Sequence, residues 1–297
     1  MNTLRKVGEV REEVARARAD GRTVGFVPTM GYLHAGHLSL IDRCRELADY
    51  VVVSIYVNPL QFGPNEDLAR YPRDMERDLA ATEERGANLV FAPDDRELYP
   101  VQPAVVVTPR RLADRMCGLS RPGHFEGVLT VVCKLFGIVQ PDVSVFGQKD
   151  FQQAVLIKRM VADLNLPVRI DVAPIVREAD GIAMSSRNVY LSGEERARAV
   201  SLSRSLAGAV AAYRADERDP ARLESGIRAT LEAASGLDVE YVAVVSADEL
   251  EPVDRAGDDT VVAVAVRLGS TRLIDNVWLA RPDRDLERLL QNWGGRP

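Results

Sequence analysis

Residues 50–57, Tyr-Val-Val-Val-Ser-Ile-Tyr-Val, form a run of β-branched and aromatic side chains interrupted only by Ser54. A run without polar alternation suits a strand buried on both faces, as in a parallel sheet covered by helices. Its neighbours agree with that reading. Residues 23–28 are a short apolar run ending in Pro28, after which Leu38, Ile41, Cys44, Leu47 and Ala48 recur at helical spacing. Residues 75–85 read as a helix closed by Gly86, and residues 88–92 as a strand. Phe125, Val128, Leu129, Val132, Phe136 and Val139 make a long stripe of helical period, followed by a strand at 143–146 and a helix through 155–164. Such alternation is the βαβ signature, so the expected fold class is α/β with a parallel sheet. Ligands of such sheets bind beyond the carboxyl ends of the strands. The loops after 23–28, 50–57 and 143–146 are therefore where chemistry is sought.

The pattern changes after about Val176. Residues 193–235 are two Ala/Arg/Glu-rich helical stretches broken near Asp219-Pro220, and strand-like runs follow at 239–245, 260–268 and 271–279. Consecutive strands without intervening helices suggest antiparallel pairing. The expected division is a domain at 1–176 and a smaller α+β domain at 177–297, consistent with about 150 residues per domain. Residues 285–293 have the spacing of a terminal amphipathic helix through Leu286, Leu289, Leu290 and Trp293.

Composition narrows the function classes. With 38 basic against 44 acidic residues, the net charge of −6 disfavours a nucleic-acid footprint. A cleft can still be locally positive. The three cysteines, Cys44, Cys117 and Cys133, form no C-x-x-C pair, so neither a disulfide framework nor a thiolate zinc site is expected. Residues 1–20 are charged throughout and lack the apolar stretch of a secretory signal, and no window has the length and apolarity of a membrane span. A cytoplasmic protein is the expectation.

The most informative stretch is Pro28-Thr29-Met30-Gly31-Tyr32-Leu33-His34-Ala35-Gly36-His37, which follows a strand and opens a helix. A helix N-terminus offers unpaired N–H groups and a positive dipole end, both suited to phosphate. Gly36 lets a ligand approach the backbone, and two imidazoles three residues apart can donate to phosphate oxygens. No Walker A loop and no G-x-G-x-x-G fingerprint occurs, so phosphate binding must use this turn and other side chains. Phe146-Gly147-Gln148-Lys149-Asp150-Phe151-Gln152-Gln153 again follows a strand, with Lys149 as a compact cation and Asp150 able to cap the helix. Met184-Ser185-Ser186-Arg187-Asn188 lies in a polar loop whose hydroxyls and guanidinium suit a triphosphate, or serve as an ordinary helix-flanking loop. Asn58-Pro59-Leu60-Gln61-Phe62-Gly63 follows the buried strand; Gln61 is an uncharged grip for a polar substrate, although turn chemistry alone accounts for Asn58 and Gly63.

Taken together, an HxGH turn after the first strand, a later lysine and a Ser-Ser-Arg loop resemble the nucleotidyltransferase superfamily. The blocks VPTMGYLHAGHLSLI, VNPLQFGPNEDLARYPR, RPGHFEGVLTVV, FGQKDFQQ and READGIAMSSRNVYLS resemble, in order, the signatures of the pantothenate synthetase (pantoate–β-alanine ligase) family. The resemblance covers residues 26 to 192. It implies a Rossmann-like nucleotidyltransferase domain, with the smaller domain closing over the active site. It also implies ATP and Mg²⁺ as requirements, pantoate and β-alanine as substrates, a pantoyl-adenylate intermediate, and a homodimer. By the same match, His34, His37, Lys149, Ser185, Ser186 and Arg187 are the catalytic set on the phosphates. Met30, Gly36, Gly147, Asp150, Val176 and Met184 complete the nucleotide contacts. Gln61 and Gln153 match the glutamines that hold pantoate; Asn58, His124 and Arg121 match further substrate positions, and Asp78 matches an acidic position associated with the metal. Two local departures stand out. Tyr32 replaces a smaller residue, and Gln148 stands where glutamate is frequent. Neither removes a phosphate-contacting side chain.

Two other readings share parts of this pattern. An adenylyltransferase acting on a phosphate ester would keep the histidine turn but need a basic pocket for its second phosphate, whereas Gln61 with Gln153 suits an uncharged diol. A nucleotide-binding regulator without activity would not need His34, His37, Lys149 and Arg187 all together.

Overall fold

The structure is a computed structural model that describes residues 1–292. It divides into two compact units. The first comprises Met1–Gly147 and Leu156–Ala173; the second comprises Gln148–Val155 and the chain from Pro174 onward. The chain passes between the units after Gly147, Val155 and Ala173, whereas the division expected from the sequence has a single break at 177.

The first unit is built on a six-stranded sheet of order β1-β4-β3-β2-β5-β6, all parallel. The strands are β1 (Asn2–Leu4), β2 (Val24–Thr29), β3 (Tyr50–Ile55), β4 (Leu89–Phe91), β5 (Val143–Gly147) and β6 (Arg169–Ala173). Between them run α1 (Val7–Ala19), α2 (Ala35–Leu47), α3 (Met75–Glu84), the short α4 (Asp95–Leu98) and α5 (Met116–Ser120), α6 (His124–Val139) and α7 (Phe151–Asp163). Every residue of β3 is buried, as its unalternating sequence requires. On one side of the sheet, Leu40, Ile41 and Cys44 of α2 pack with Val27, Val51, Val53, Val90 and Val145. Helix α3 ends with Gly86 at φ +71, its N–H bonded to Glu83 O, and Ala87 N bonded to Thr82 O. That is the left-handed stop a glycine permits.

The sequence reading did not include β1, α1 and β6, and the reasons are physical. β1 is a three-residue edge strand. Helix α1 buries only Val10, Val14 and Ala17 within a charged surface, too thin a stripe to stand out. β6 is an edge strand carrying Arg169 and Asp171, and Asp171 is held by Arg43 Nε at 3.0 Å and Nη2 at 3.1 Å.

Strand β2 carries the main topological consequence. The strand order of the sheet reverses there, with β3 on one side and β5 on the other. The carbonyls of Thr23 and Thr29 accept from Tyr50 and Tyr56 on the β3 side, while that of Val24 accepts from Asp142 on the β5 side. By that alternation Pro28 faces β5. Proline has no N–H to give a neighbouring strand. Pairing between β2 and β5 covers only Gly25 and Phe26, whereas pairing with β3 runs on to Thr29. The sheet therefore opens between β2 and β5 at its carboxyl end, the switch point where doubly wound folds hold ligands.

The second unit pairs helices with an antiparallel sheet of order β7-β8-β9. Its elements are α8 (Gly193–Arg214), α9 (Pro220–Glu232), β7 (Leu237–Ser246), β8 (Thr260–Leu268), β9 (Thr271–Trp278) and α10 (Arg284–Asn292). Ser192 and Glu195 form a capping box at the start of α8, and Asp219 caps α9 with Pro220 in its first turn. Leu202, Leu206 and Val210 of α8 and Leu223, Ile227 and Leu231 of α9 share one core with Val262, Val264 and Val266 of β8 and Val277 of β9. Leu286 and Leu289 of α10 join it; Trp293 of the expected terminal helix lies outside the described residues. None of the described helices is long and apolar enough to cross a membrane.

Cys44 is buried in the first-unit core, and burial pushes its thiol up to about 12. It faces Gly25, where a Cβ would meet Cys44 Sγ at 2.4 Å and Ala48 Cβ at 2.8 Å. Strand β2 and helix α2 thus approach more closely than any side chain on residue 25 allows. Gly25→Ala is expected to lower unfolding stability by about 1–3 kcal/mol, measured by chemical denaturation; an unchanged midpoint would show that α2 can move outward freely.

Candidate active site

The turn after β2 is built to hold an unusual backbone. Gly31 and Tyr32 both take positive φ, +82 and +50. Gly31 is required twice over, because a Cβ there would also meet Asp78 Oδ2 at 2.8 Å and Ile55 Cγ2 at 3.0 Å. Asp78, in the first turn of α3 and 1% exposed, accepts from Tyr32 N at 2.6 Å and Leu33 N at 2.7 Å. Burial raises the Asp78 carboxyl pKa above its ordinary value, opposed by those two N–H donors. Arg77 donates to Leu33 O at 2.6 Å and lies 4.8 Å over the Tyr32 ring. Tyr32, the departure noted in the sequence, is thereby tied into the turn.

This turn delivers His34 to the N-cap of α2 and His37 to its first turn. The two rings stack with centroids 4.0 Å apart and planes 30° from parallel. His37 Nδ1 accepts from His34 N at 3.4 Å. An N–H donor pointing at Nδ1 requires a lone pair there, so the His37 ring proton sits on Nε2. The first-turn amides of α2 precede the intrahelical ladder, which begins with Leu38 N on His34 O. Imidazoles beside such amides are chemically suited to an anion.

The second feature of this unit lies after β3. Asn58 caps the 3₁₀ turn Pro59–Gln61 and is buried. Its Nδ2 donates to Gln61 Oε1 and Gly127 O, each at 3.1 Å, and its Oδ1 accepts from Tyr99 Oη at 3.1 Å. Gln61 Nε2 reaches Met30 Sδ at 3.1 Å, which links the turn to the histidine loop. A Cβ on Gly127 would fall 2.3 Å from Leu60 O, so the glycine in α6 lets the turn lie flush on the helix.

Arg121 and His124 support Gln61 from its main chain. Gln61 O accepts from His124 Nδ1 at 2.9 Å and from Arg121 Nη2 at 3.3 Å. A carbonyl can only accept and a guanidinium can only donate, so Nδ1 carries the proton, and Nε2 accepts from Arg121 Nη1 at 2.9 Å. His124 is held as a neutral ring. Arg121 is in turn gripped by Glu66 in a bidentate pair, at 2.7 and 2.6 Å. Burial pushes the Glu66 carboxyl up and Arg121 more than offsets it, leaving it below the ordinary 4.5.

In the second unit, Gln148–Asp150 form a 3₁₀ turn leading into α7, with Lys149 Nζ 3.6 Å from Asp150. Gln153 lies one turn further along α7 and is partly buried. Val176 to Met184 form a hairpin: Arg177 bridges Ala183, and Met184 N bonds to Val176 O at 3.0 Å. The segment expected as a loop is a 3₁₀ helix, Ser186–Tyr190, capped by Ser185 Oγ, which accepts from Arg187 N at 3.3 Å. Asn188 ties it back to the hairpin through Glu178 Oε1 at 2.6 Å and Ala183 O at 3.2 Å. The hairpin is anchored by Arg177, whose side chain is fully buried. Its guanidinium donates to Gly181 O, to both oxygens of Asp275 and to both of Asp283. Burial opposes the charge on Arg177, and the two carboxylates more than offset it.

Within the first unit, therefore, Met30, Asn58, Gln61, Arg121 and His124 form one connected network, and His34 and His37 form a stacked pair. Within the second, Lys149 and Asp150 sit on one turn, and Ser185, Ser186 and Arg187 follow the hairpin that begins at Val176. Asp78, the expected metal position, has both oxygens on backbone N–H groups, so its work here is to fasten the histidine turn. Among the described residues there is no group of three or more His, Cys, Asp or Glu side chains placed to hold a metal ion. Sequence reading passed over Glu66, Tyr99, Gly127 and Arg177. Glu66, Gly127 and Arg177 lie inside the signature blocks, but nothing local marks a glycine or an ion pair that matters only through a distant contact.

The family model described as pantoate-beta-alanine ligase matches residues 2–278. A pantothenate synthetase of Pelotomaculum thermopropionicum is 52% identical over 275 residues, 93% of this chain and 98% of that one. One from Heliobacterium modesticaldum is 53% identical, over 92% of this chain and 99% of that one. The crystal structure of pantothenate synthetase from Thermus thermophilus is similar at a TM-score of 0.90 and 44% identity, covering 95% of this chain and all of that one. A pantoate-beta-alanine ligase from Francisella tularensis, complexed with beta-gamma ATP and beta-alanine, is similar at a TM-score of 0.76 and 31% identity, covering 95% of this chain and 98% of that one.

Two outcomes test the supports of the site. Asp78→Asn sets an NH₂ group against one of the two N–H donors, of Tyr32 or Leu33, and is expected to cost about 1–3 kcal/mol. Hydrogen exchange of the Tyr32 and Leu33 amides should accelerate; unchanged exchange would remove Asp78 from this role. The Glu66 pKa is depressed in the folded state, so its contribution is present above about pH 4.5 and is lost as the pH falls through the lowered folded value. Glu66→Gln is therefore expected to lower the urea midpoint at pH 7, with the gap to wild type closing at pH values well below 4.5. A gap independent of pH would contradict the ion-pair account.

Proposed function

The chain belongs to the pantoate-beta-alanine ligase family, and from that premise we propose that it condenses pantoate with β-alanine at the expense of ATP, releasing AMP and pyrophosphate. The observation that carries this reading beyond family membership is the stacked His34–His37 pair at the first turn of α2.

The chemistry explains the need for such a pair. A carboxylate is a poor acyl electrophile, because an amine cannot expel oxide from it. Attack of the pantoate carboxylate oxygen on the α-phosphorus forms a P–O bond, breaks the bond to the β-phosphate oxygen and releases pyrophosphate. The mixed anhydride, pantoyl adenylate, then has a good leaving group. The free amine of β-alanine attacks its carbonyl carbon, the bond to the phosphate oxygen breaks, AMP leaves as the amide forms, and the nitrogen gives up one proton to water. No general base is needed for the first step, since the attacking carboxylate is already ionised.

Charge shifts onto the departing pyrophosphate, so the protein's contribution is electrostatic stabilisation and positioning. In this reading His34 and His37 donate to phosphate oxygens, Lys149 neutralises the triphosphate, and Ser185, Ser186 and Arg187 hold it. Met30, Gly36, Gly147, Asp150, Val176 and Met184 complete the nucleotide contacts. Gln61 and Gln153 take the hydroxyls and carboxylate of pantoate, and Asn58 holds Gln61 toward it. Arg121 and His124 serve this grip through the main chain of Gln61, a role their hydrogen bonds support better than direct contact with substrate. Magnesium enters with the nucleotide as part of the substrate, since an ion held mainly by phosphate oxygens and water needs only one or two carboxylates. The exposed Asp150 carboxylate, beside Lys149, suits that need. When bound, the ion neutralises phosphate charge. A cytoplasmic homodimer working on small molecules, without nucleic acid or membrane, completes the proposal.

Pantoate-dependent ATP–pyrophosphate exchange, with Mg²⁺ present and β-alanine absent, is the direct test. Exchange that requires pantoate establishes reversible adenylation. No AMP, with or without β-alanine, overturns the assignment. His37→Ala is expected to slow adenylation about 10²- to 10³-fold, by analogy with removing one transition-state donor. Formation of the adenylate at the wild-type rate in a single turnover would remove His37 from that step.

A further inference from the structure

The mechanism uses Lys149 but leaves open what holds it. Lys149 lies in a short 3₁₀ turn, Gln148–Asp150, an element with few internal hydrogen bonds of its own. The turn is fastened from β9. Asn276, 2% exposed, donates through Nδ2 to Gln148 O and to Lys149 O, each at 3.0 Å. Its Oδ1 accepts from Gln148 Nε2 at 3.1 Å. Two carbonyl oxygens facing the same atom dictate the amide's orientation, because only the NH₂ end can satisfy both. The first two residues of the turn are thus clamped at their backbone.

The placement on β9 is informative. Successive residues of a strand point to opposite faces, and both Asp275 and Asn276 are buried in the middle of β9. Asp275 lies on the face of Leu273 and Val277, which belong to the apolar core, and holds Arg177 at the root of the Val176–Met184 hairpin. Asn276 lies on the other face, with Trp278 two residues along. Trp278 meets Phe151, the first residue of α7, edge-on at a centroid distance of 6.3 Å. Asn276 and Trp278 therefore grip the turn and the helix start that succeeds it. Asp275 Oδ1 also accepts from Asn276 N at 2.8 Å, which fixes the strand at this point.

We propose that Asn276 is a positioning residue for Lys149, setting the direction of the Lys149 side chain by clamping the carbonyls of residues 148 and 149. The proposal rests on Lys149 as a phosphate-binding group. A cation on an unclamped turn still binds ATP but spends less time aligned with the charge that develops on pyrophosphate. The expected signature is a loss in kcat for exchange and a higher KM for ATP, with the KM for pantoate unchanged.

Asn276→Asp is the first variant, since it preserves shape and replaces both N–H donors by oxygen lone pairs facing two carbonyls. It is expected to lower kcat for pyrophosphate exchange about 10- to 100-fold, the scale of a misplacement near 1 Å. The deciding measurement is the double-mutant cycle with Lys149→Ala. If Asn276 acts through Lys149, Asn276→Asp causes no further loss in the Lys149→Ala background. An equal loss in both backgrounds overturns the proposal, as does an unchanged rate in the single variant. Should Asn276→Asp fail to fold, Asn276→Ser, which retains one donor, goes through the same cycle, with an intermediate loss expected. Lys149→Ala alone tests the underlying reading separately: wild-type exchange and ATP KM in that variant would overturn the phosphate role of Lys149, with no change made at residue 276.

Discussion

Pro28 cannot give a hydrogen to a neighbouring strand, and it stands where β2 would otherwise continue along β5. The position is consequential because β2 is where the sheet order reverses. Pairing with β3 continues to Thr29, so β2 remains anchored on one side while it leaves β5 on the other. A parallel sheet binds ligand where neighbouring strands lead their chains apart. Here the opening comes with a rigid edge, and the histidine turn begins two residues later. Gly25, on the same strand, lets the last turn of α2 pack against β2 at Cys44 and Ala48.

Within each unit, the turns that carry the candidate residues depend on polar groups whose partners are almost all backbone. Asp78 receives the N–H groups of Tyr32 and Leu33, His124 and Arg121 support the carbonyl of Gln61, and Asn276 holds the carbonyls of Gln148 and Lys149. Each is buried or half-buried, so each bond replaces water that cannot reach the site. Leaving one partner unmade carries the full desolvation cost. Gripping backbone rather than side chains has a functional consequence. It fixes the main chain that carries Gln61 and Lys149, and the turn that leads to His34, a placement that the proposed substrate contacts would use. The two charged anchors, Glu66 with Arg121 and Arg177 with Asp275 and Asp283, stand one step behind these groups and fix the residues that do the gripping.

Much of the fold was legible because its signals are local. The unalternating run of β3 and the stripe of α6 appear where their periods place them. Asp219-Pro220 separates α8 from α9 because an Asx cap and a proline suit the first turn of a new helix. The motifs that carry the proposed site residues were legible for the same reason, being runs of contiguous residues. Edge elements were not. β1, β6 and α1 bury too little for their patterns to rise above the charged residues around them.

The sequence by itself determined the α/β class, the antiparallel pairing at the end of the chain, and the segments that carry His34, His37, Lys149 and Ser185 to Arg187. Those depend on periodicity and on contiguous motifs, which a linear chain displays. Tertiary structure alone decided that Asp78 fastens the histidine turn, that His124 is a neutral support for Gln61, and that Asn276 clamps the turn bearing Lys149. The partners in these contacts lie far apart in the chain, as with Gln61 and His124 or Lys149 and Asn276. A buried polar residue shows in sequence only as an interruption of an apolar pattern. Which carbonyl or amide it satisfies is fixed by packing, because inside the protein it must find a partner there or lose its hydrogen bond altogether.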